Sequence, residues 1–270
     1  MGVTMRIAVF SDTHGNSIAL DAVLADIQRA GGADAHWFVS DAAMIGFDPV
    51  GTVERLSGLP NLVAVRGNGD RRLATAPEIV REITARFIAT ASDDEAAVWR
   101  STLADSEWTR DALKATDLYG WIAQLPLEER LTLPDGTRVL LVHAAPGTDE
   151  GPGLHADQSD DELRALLAGA EADPFDSAAL RSGQALVFVG HTHQPLDRTV
   201  DGVRVINLGS VSNPPRADKR AMWMLLEADE SGYTVERRFA TYDLAAVRER
   251  MARDQVPARD YLQRYFNEEA

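Results

Sequence analysis

The sequence predicts an α/β fold whose sheets are mixed rather than purely parallel. Short apolar runs rich in β-branched residues recur along the chain and alternate with segments of helical periodicity, which is typical of α/β proteins. Some of these runs are joined by short turns and predict hairpins, so antiparallel neighbours are expected as well. With 270 residues, the chain can bury a sizeable core and corresponds to one large domain or two small ones.

The predicted strands are short and end at polar or glycine-containing segments, as buried strands do. They span Arg6–Phe10, His36–Val39, Leu62–Val65, Arg138–Val142, Ala185–Val189 and Val203–Ile206. A helix is predicted over Ser17–Ala30, because apolar residues recur there at helical spacing and Asn16 is a suitable N-cap. The predicted hairpins join Leu131–Leu133 to Arg138–Val142 and Met222–Leu226 to Tyr233–Phe239.

Residues 76–124 interrupt the alternation and are predicted to be helical from Pro77 onward. They contain Trp99, Trp108 and Trp121 at positions that could line one helical face. The tryptophans are either packing anchors or part of a helical cap over a site.

Residues 242–270 predict one or two amphipathic helices divided at Pro257. These helices either close the fold or dock on a neighbouring subunit in a homodimer. We therefore expect a main domain over residues 5–241, with a helical insertion at about 76–124, and a C-terminal helical extension over 242–270.

The composition argues against several classes of function. The chain has 27 basic and 42 acidic residues, and its formal charge of −15 disfavours general binding to nucleic acid or acidic membranes. It contains no cysteine, so any metal must be held by histidine, carboxylate or amide side chains. No apolar run approaches the ~18 residues of a membrane span, and the N-terminus lacks a signal-peptide pattern, so we expect a cytoplasmic protein.

Side chains that can bind metals follow five of the predicted strands. Taken singly, each has an ordinary explanation, since an aspartate after a strand is usually a turn former and a histidine there is usually only hydrogen-bonded. The repetition at the carboxyl ends of strands, where α/β sheets place their sites, is what predicts a metal centre. The set comprises Asp12, His14, Asp41, Asn68, His143, His191 and His193.

The donor types in this set indicate borderline divalent metals. Carboxylates, imidazoles and one amide oxygen suit manganese, iron or zinc better than magnesium or calcium. Seven ligands are too many for one tetrahedral ion but suit two ions that share a bridging carboxylate. The charges of two divalent ions, less two aspartates and one hydroxide, leave about one positive charge to attract a phosphate to this acidic chain.

The pattern Asp12-x-His14, Asp41, Gly67-Asn68, His143 and Gly190-His191-x-His193 resembles the signature of the calcineurin-like metallophosphoesterase superfamily. Its order and spacing match from about residue 5 to 210. The segments Asn207–Ser210 and Pro215-Arg216 resemble the small bacterial and archaeal, phosphodiesterase-like branch. The resemblance implies two packed mixed β-sheets flanked by helices, a four-layer sandwich.

The resemblance also implies roles for the site residues. Asp12, His14 and His193 would hold one metal ion and Asn68, His143 and His191 the other, with Asp41 bridging. The implied mechanism is in-line attack on phosphorus by a metal-bound hydroxide, with manganese as the expected metal and iron or zinc as alternatives. The implied catalytic residues are Asp41, Asn68, Asp70 and His143.

The chain departs from the family pattern beside this site. Gly69 stands where the family usually has a histidine near the leaving group, which predicts a preference for activated leaving groups or a substitute donor. His155, in the loop at 147–161, is a candidate substitute or an ordinary exposed loop residue. Ser40 replaces a glycine that usually precedes the bridging aspartate, and Asp70 is expected to support the site by hydrogen bonds.

Three further side chains are candidates for substrate contact, each with a structural alternative. Asn16 either touches substrate or only caps its helix, and Arg71 and Arg72 either meet phosphate or are solvated. We expect a binuclear-metal phosphoesterase, foremost a phosphodiesterase acting on a small phosphorylated molecule. The alternatives are a phosphomonoesterase, a nucleoside polyphosphate hydrolase, or a metal- and phosphate-binding regulatory protein with little turnover.

Overall fold

The computed structural model describes residues 4–168, 185–215 and 217–266. Its strands are β1 (Met5–Phe10), β2 (Ala35–Val39), β3 (Leu62–Val65), β4 (Glu128–Thr132), β5 (Arg138–Val142), β6 (Ala185–Val189), β7 (Leu196–Val200), β8 (Val203–Asn207), β9 (Ala221–Asp229) and β10 (Gly232–Ala240). Its helices are α1 (Ser17–Arg29), α2 (Pro49–Ser57), α3 (Asn68–Ala74), α4 (Pro77–Ile88), α5 (Asp93–Lys114), α6 (Tyr119–Ala123), α7 (Asp160–Leu167), α8 (Leu244–Arg253) and α9 (Arg259–Phe266). Arg216 and residues 267–270, which belong to segments discussed above, lie outside the described residues.

The strands form two mixed sheets of five strands each. The first has the order β10-β9-β1-β2-β3, with β1, β2 and β3 parallel and β9 antiparallel to both of its neighbours. The second has the order β4-β5-β6-β8-β7, with β5, β6 and β8 parallel and antiparallel strands at both edges. Both predicted hairpins are confirmed, as β4–β5 and β9–β10.

The sheets pack face to face around a shared apolar core. Trp37 of β2 meets Phe188 of β6 there, with ring centroids 6.2 Å apart. Phe10 points to the opposite face of the first sheet and packs with Leu20 of α1, while Leu163 of α7 covers the outer face of the second sheet. This is the predicted four-layer arrangement, and it explains why strands buried on both faces appear as continuous apolar runs.

The chain between β3 and β4 forms α3 to α6. Trp99 of α5 stacks on Phe87 of α4 with ring centroids 4.7 Å apart, and Trp121 packs partly buried against the core beside the first sheet. Ser92 and Glu95 form a capping box that starts α5. Both tryptophans therefore contribute to packing, and the limits and role of an insertion at 76–124 stay a prediction.

The C-terminal helices pack on the loop that follows β2. Val247 and Met251 of α8 and Leu262 and Phe266 of α9 surround Phe47 in a separate buried cluster. The described part of this segment therefore covers the fold near the carboxyl ends of β1 and β2. No helix in the described ranges is long and apolar enough to cross a membrane.

Sequence patterns missed one edge strand and misplaced an end of another. β7 was not predicted, because only its terminal residues Leu196 and Val200 are buried and three polar residues separate them. β4 spans Glu128–Thr132 rather than Leu131–Leu133, since an edge strand with two glutamates lacks an apolar pattern. α1 ends at Arg29, one residue before the predicted end.

Candidate metal centre

The parallel strands of both sheets end at one edge of the molecule, and the seven predicted ligands meet there. In the first sheet, the loop after β1 carries two of them, the loop after β2 one, and the start of α3 another. In the second sheet, the residue after β5 and the loop after β6 supply the rest. The packing of one sheet on the other thus joins ligands that are far apart in sequence.

The loops that carry the ligands have unusual backbone conformations. The amides of Asp12 and His14 donate to the carbonyls of Ser40 and Asp41, at 2.7 and 2.9 Å, which joins the loops after β1 and β2. A non-glycine residue in the left-handed region costs about 1–3 kcal/mol, and such residues concentrate at functional sites. Five of the seven predicted ligands lie in this region, with φ between 44° and 67°: Asp12, His14, Asp41, His191 and His193.

Asp12, His14 and His193 form the first group of donor atoms. The Nε2 atoms of the two imidazoles are 3.0 Å apart, and Oδ1 of Asp12 lies 3.2 Å from Nε2 of His193. Nδ1 of His14 lies 2.6 Å from the carbonyl oxygen of Met44, and Nδ1 of His193 lies 2.9 Å from that of Asn213. Because each Nδ1 must carry the proton to donate to a carbonyl, both Nε2 atoms present lone pairs to each other when the two imidazoles are neutral.

Asn68, His143 and His191 form the second group. Nε2 of His143 lies 3.1 Å from Oδ1 of Asn68, and Nδ1 of His191 lies 3.2 Å from each of these atoms. Nε2 of His191 donates to the carbonyl of Gly151 at 2.9 Å, so its Nδ1 is also an acceptor. Oδ2 of Asp41 lies 3.6 Å from Nε2 of His143, on the side that faces the first group.

The arrangement of these donor atoms suits the binding of divalent cations better than hydrogen bonding among the atoms themselves. Both carboxylate oxygens of Asp12 are buried and have no hydrogen-bond partner among the described residues. Unpartnered buried acceptors are costly, and acceptors at these separations repel unless a proton or a cation lies between them. Carboxylate oxygen, amide oxygen and imidazole nitrogen together match the ligand preferences of manganese, iron and zinc.

Burial and neighbouring charges shift the pKa values of four of the predicted ligands. Burial lowers the pKa of His14, and His193 lowers it further; burial and His143 likewise lower the pKa of His191. Burial alone would raise the pKa of Asp12, but the surrounding histidines outweigh it and hold that pKa below its usual value. Burial also acts to lower the pKa of His193, yet the charge of Asp12 raises it overall, so a metal must displace a proton there.

Two glycines allow the close approach of neighbouring loops. A Cβ atom at Gly190 would lie 2.4 Å from Oδ2 of Asp12. A Cβ atom at Gly69 would lie 2.8 Å from Oδ1 of Asp41, which accepts a hydrogen bond from the amide of Gly69 at 2.8 Å. A side chain at either position would displace an aspartate. The chain therefore has no room for a histidine at position 69 unless Asp41 moves.

Asp70 holds the loop that carries Asp41. Its buried carboxylate accepts from the hydroxyl of Ser40 at 2.9 Å and from the amides of Ala42 and Gly67 at 3.1 Å each. Burial and the charge of Asp41 raise the pKa of Asp70, and the hydrogen bonds from Ser40 and Ala42 oppose the rise. Ser40 and Ala42, which precede and follow Asp41, therefore both donate hydrogen bonds to Asp70.

Asn16 and Arg71, two of the predicted substrate contacts, have protein partners. Asn16 is fully buried, and its side chain accepts from the amide of Ala19 and donates to Ser212, so it caps α1. Arg71 pairs with two acidic residues of the loop after β5, Asp149 and Glu150.

A cleft of about 290 Å³ lies in front of the donor atoms, and Arg72 lines it. His155 is not among the described residues that line this cleft. Sequence reasoning missed Tyr261 and Tyr265 of α9, which do line it. The available signal was their spacing of four residues on one face of a predicted amphipathic helix.

Comparisons with known proteins agree with this geometry. A family model for the calcineurin-like phosphoesterase superfamily domain matches residues 5–231. An uncharacterized protein of Methanocaldococcus jannaschii is 26% identical over 261 residues, which cover 94% of this chain and 95% of that protein. The crystal structure of a metallophosphoesterase from Sphaerobacter thermophilus is 25% identical with a TM-score of 0.68, over 97% of this chain and 98% of that one. A hypothetical protein from Pyrococcus horikoshii shares the fold with a TM-score of 0.76 at 17% identity, over 98% of both chains.

Proposed function

Because the chain belongs to the calcineurin-like phosphoesterase superfamily, it is a phosphoesterase hydrolase, and we propose that it uses two divalent ions to hydrolyse a phosphodiester of a small molecule. The observation that carries this proposal is the proximity of the two donor groups, since ligand atoms of Asp12, Asp41 and His143 lie within 4.8 Å of one another. A chain with a formal charge of −15 needs such cations to attract an anionic substrate.

The seven ligands would divide between two ions. Asp12, His14 and His193 would hold one and Asn68, His143 and His191 the other, with Asp41 shared between them. When bound, the ions would lower the pKa of water enough to supply a nucleophile near neutral pH and would offset charge on the phosphoryl oxygens. Manganese suits the mixed nitrogen and oxygen donors, with iron and zinc as the alternatives.

Other side chains would orient the reaction. Asp70 holds both neighbours of Asp41, and the guanidinium of Arg72 lies where it can meet a phosphoryl oxygen. Asn16 and Arg71 would act indirectly, the first by capping α1 and the second by pairing with Asp149 and Glu150.

The test is hydrolysis of bis(para-nitrophenyl) phosphate by protein stripped of metal with a chelator, with and without added manganese. We expect manganese to restore turnover, Asp41→Asn to abolish it, and Asp111→Asn, at an exposed position on α5, to leave it unchanged. Turnover of para-nitrophenyl phosphate alone would assign the chain as a phosphomonoesterase instead.

Absence of turnover on both esters, in protein shown by elemental analysis to hold metal, would contradict the enzymatic proposal. Phosphate binding by that protein would then favour the regulatory alternative. The cytoplasmic location and the homodimer stay predictions, checked by cell fractionation and by light scattering.

A further inference from the structure

A second cavity adjoins the metal cleft, and Arg72 lines both. The cavity has a volume of about 240 Å³ and lies between α3, α4 and α5. Val80, Ile83 and Phe87 of α4 and Trp99 of α5 form its apolar wall. It is therefore placed to receive a group attached to a phosphate in the metal cleft.

The apolar wall is unusually open to solvent. Among the described residues, four large apolar side chains are exposed, and two of them belong to this wall: Ile83 and Phe87, at 47% and 49%. Phe87 and Trp99 stack on each other with an interplanar angle of 11°, so they form one aromatic pair in this wall. Exposed apolar surface concentrated at a cavity is typical of a ligand-binding groove.

Arg72 supplies a charge at the junction of the two cavities. Its neighbour Arg71 pairs with Asp149 and Glu150, whereas the Arg72 guanidinium has no carboxylate within 4.0 Å in the described part of the chain. It lies 5.9 Å from the ring centroid of Trp99. A partly buried arginine without an ion pair is suited to bind an anion.

We propose that the substrate is a phosphate ester whose organic group carries a planar aromatic ring, with the ring packed against Phe87 and Trp99 and the phosphoryl group beside Arg72. This inference rests on the proposed function, because it places the phosphoryl group in the metal cleft. The aromatic wall would contribute to binding by ring contact and burial, and Arg72 by charge.

Calorimetric binding of non-hydrolysable phosphonates to manganese-loaded protein tests this subsite. We expect phenylphosphonate to bind roughly tenfold more tightly than methylphosphonate, and cyclohexylphosphonate to gain less. Phe87→Leu and Trp99→Leu should reduce the phenyl advantage, whereas Trp108→Leu, outside the cavity on the same helix, should preserve it. Arg72→Gln should weaken all three ligands similarly.

The outcomes separate this inference from the function on which it rests. If methylphosphonate does not bind, the metal–phosphate proposal fails. If it binds and phenylphosphonate binds no more tightly, the aromatic subsite is overturned while the phosphoesterase proposal survives. If cyclohexylphosphonate and phenylphosphonate both bind more tightly than methylphosphonate by the same factor, the requirement for an aromatic ring is overturned.

A second inference concerns α9 at the metal cleft. The hydroxyls of Tyr261 and Tyr265 are 3.1 Å apart and both tyrosines line the cleft, while Leu262 and Phe266 anchor α9 in the buried cluster around Phe47. One hydroxyl hydrogen is used between the two tyrosines, and the other is available to a ligand. Burial raises the pKa of Tyr265, so its hydroxyl keeps its proton.

We infer that this tyrosine pair donates a hydrogen bond to the leaving oxygen as its bond to phosphorus breaks, since Gly69 offers no side chain for this task. Tyr261→Phe or Tyr265→Phe should slow diesters with poor leaving groups roughly tenfold or more while changing the para-nitrophenyl diester little. Tyr233→Phe, a hydroxyl variant on β10 outside the cleft lining, is the control. Equal loss across all leaving groups would overturn this role, and selective loss in His155→Ala would assign it to His155.

Discussion

Nε2 of His14 and Nε2 of His193 lie 3.0 Å apart, although each imidazole already donates its Nδ1 proton to a backbone carbonyl. Two lone pairs at this distance repel, and the nearby oxygens of Asp12 have no hydrogen-bond partner among the described residues. A divalent cation at this position would turn that repulsion into coordination. Metal binding should therefore be coupled to the stability of the fold.

Added manganese should raise the melting temperature of metal-free protein. At a free metal concentration of 100 times Kd, one site contributes about 2.7 kcal/mol, or about 5–10 °C for a chain of this size. Thermal melts in chelator and in manganese measure the shift, and Asp12→Asn should reduce it while Asp111→Asn should not. An unchanged melting temperature at millimolar manganese would contradict a metal site here.

Gly190→Ala should weaken metal binding without unfolding the chain. The new Cβ would lie 2.4 Å from Oδ2 of Asp12, so the carboxylate must move away from the two histidines. We expect a loss of tenfold or more in manganese affinity, on the order found when ligand positioning is disturbed. Calorimetry measures it, and Gly120→Ala is the matched control because its nearest neighbour is a flexible glutamine atom at 3.9 Å. Equal affinities in the two variants would refute the packing argument.

Asp70→Asn should lower turnover through the position of Asp41. The amide side chain cannot accept all three hydrogen bonds from Ser40, Ala42 and Gly67, so the loop that carries Asp41 loosens. We expect a 10- to 100-fold loss in metal affinity or turnover. Ser40→Ala removes only one of these bonds and should have a smaller effect. If Ser40→Ala proves as harmful as Asp70→Asn, the role given to the carboxylate is wrong.

Asp105→Asn should make the protein more stable at high pH. Asp105 is fully buried in α5, its carboxylate oxygens have no hydrogen-bond partner among the described residues, and burial raises its pKa to about 8. Between its ordinary value of 3.8 and about 8, the folded chain holds a proton that the unfolded chain releases, so stability falls as pH rises. Asparagine has no proton to release. The free energy of unfolding of the variant should therefore exceed that of the parent by about 1–3 kcal/mol at pH 9, and by less toward pH 5.

Urea unfolding in chelator at both pH values measures this difference. Asp111→Asn, exposed on the same helix, should behave like the parent at both. A pH-independent difference between Asp105→Asn and the parent would show that the carboxyl does not hold a raised pKa.

The meeting of the predicted ligands at one edge was predictable from sequence because its signal is local. Asp12, His14, Asp41, Asn68 and His143 each follow a recognisable buried strand within a few residues, and sheet geometry brings such positions to one edge. The apolar runs that form the strands of both sheets are likewise local, since burial on both faces requires continuous apolar residues.

Only the tertiary structure decided which other side chains reach that edge. Arg71 and Arg72 are adjacent in sequence, yet one pairs with Asp149 and the other faces two cavities, because α3 turns them toward different neighbours. Tyr261 enters the cleft because α9 packs on Phe47, a contact across more than half of the chain. The sequence by itself thus determined the fold class and the ligand types, which depend on short-range patterns. The pocket walls depend on long-range packing, which no local pattern encodes.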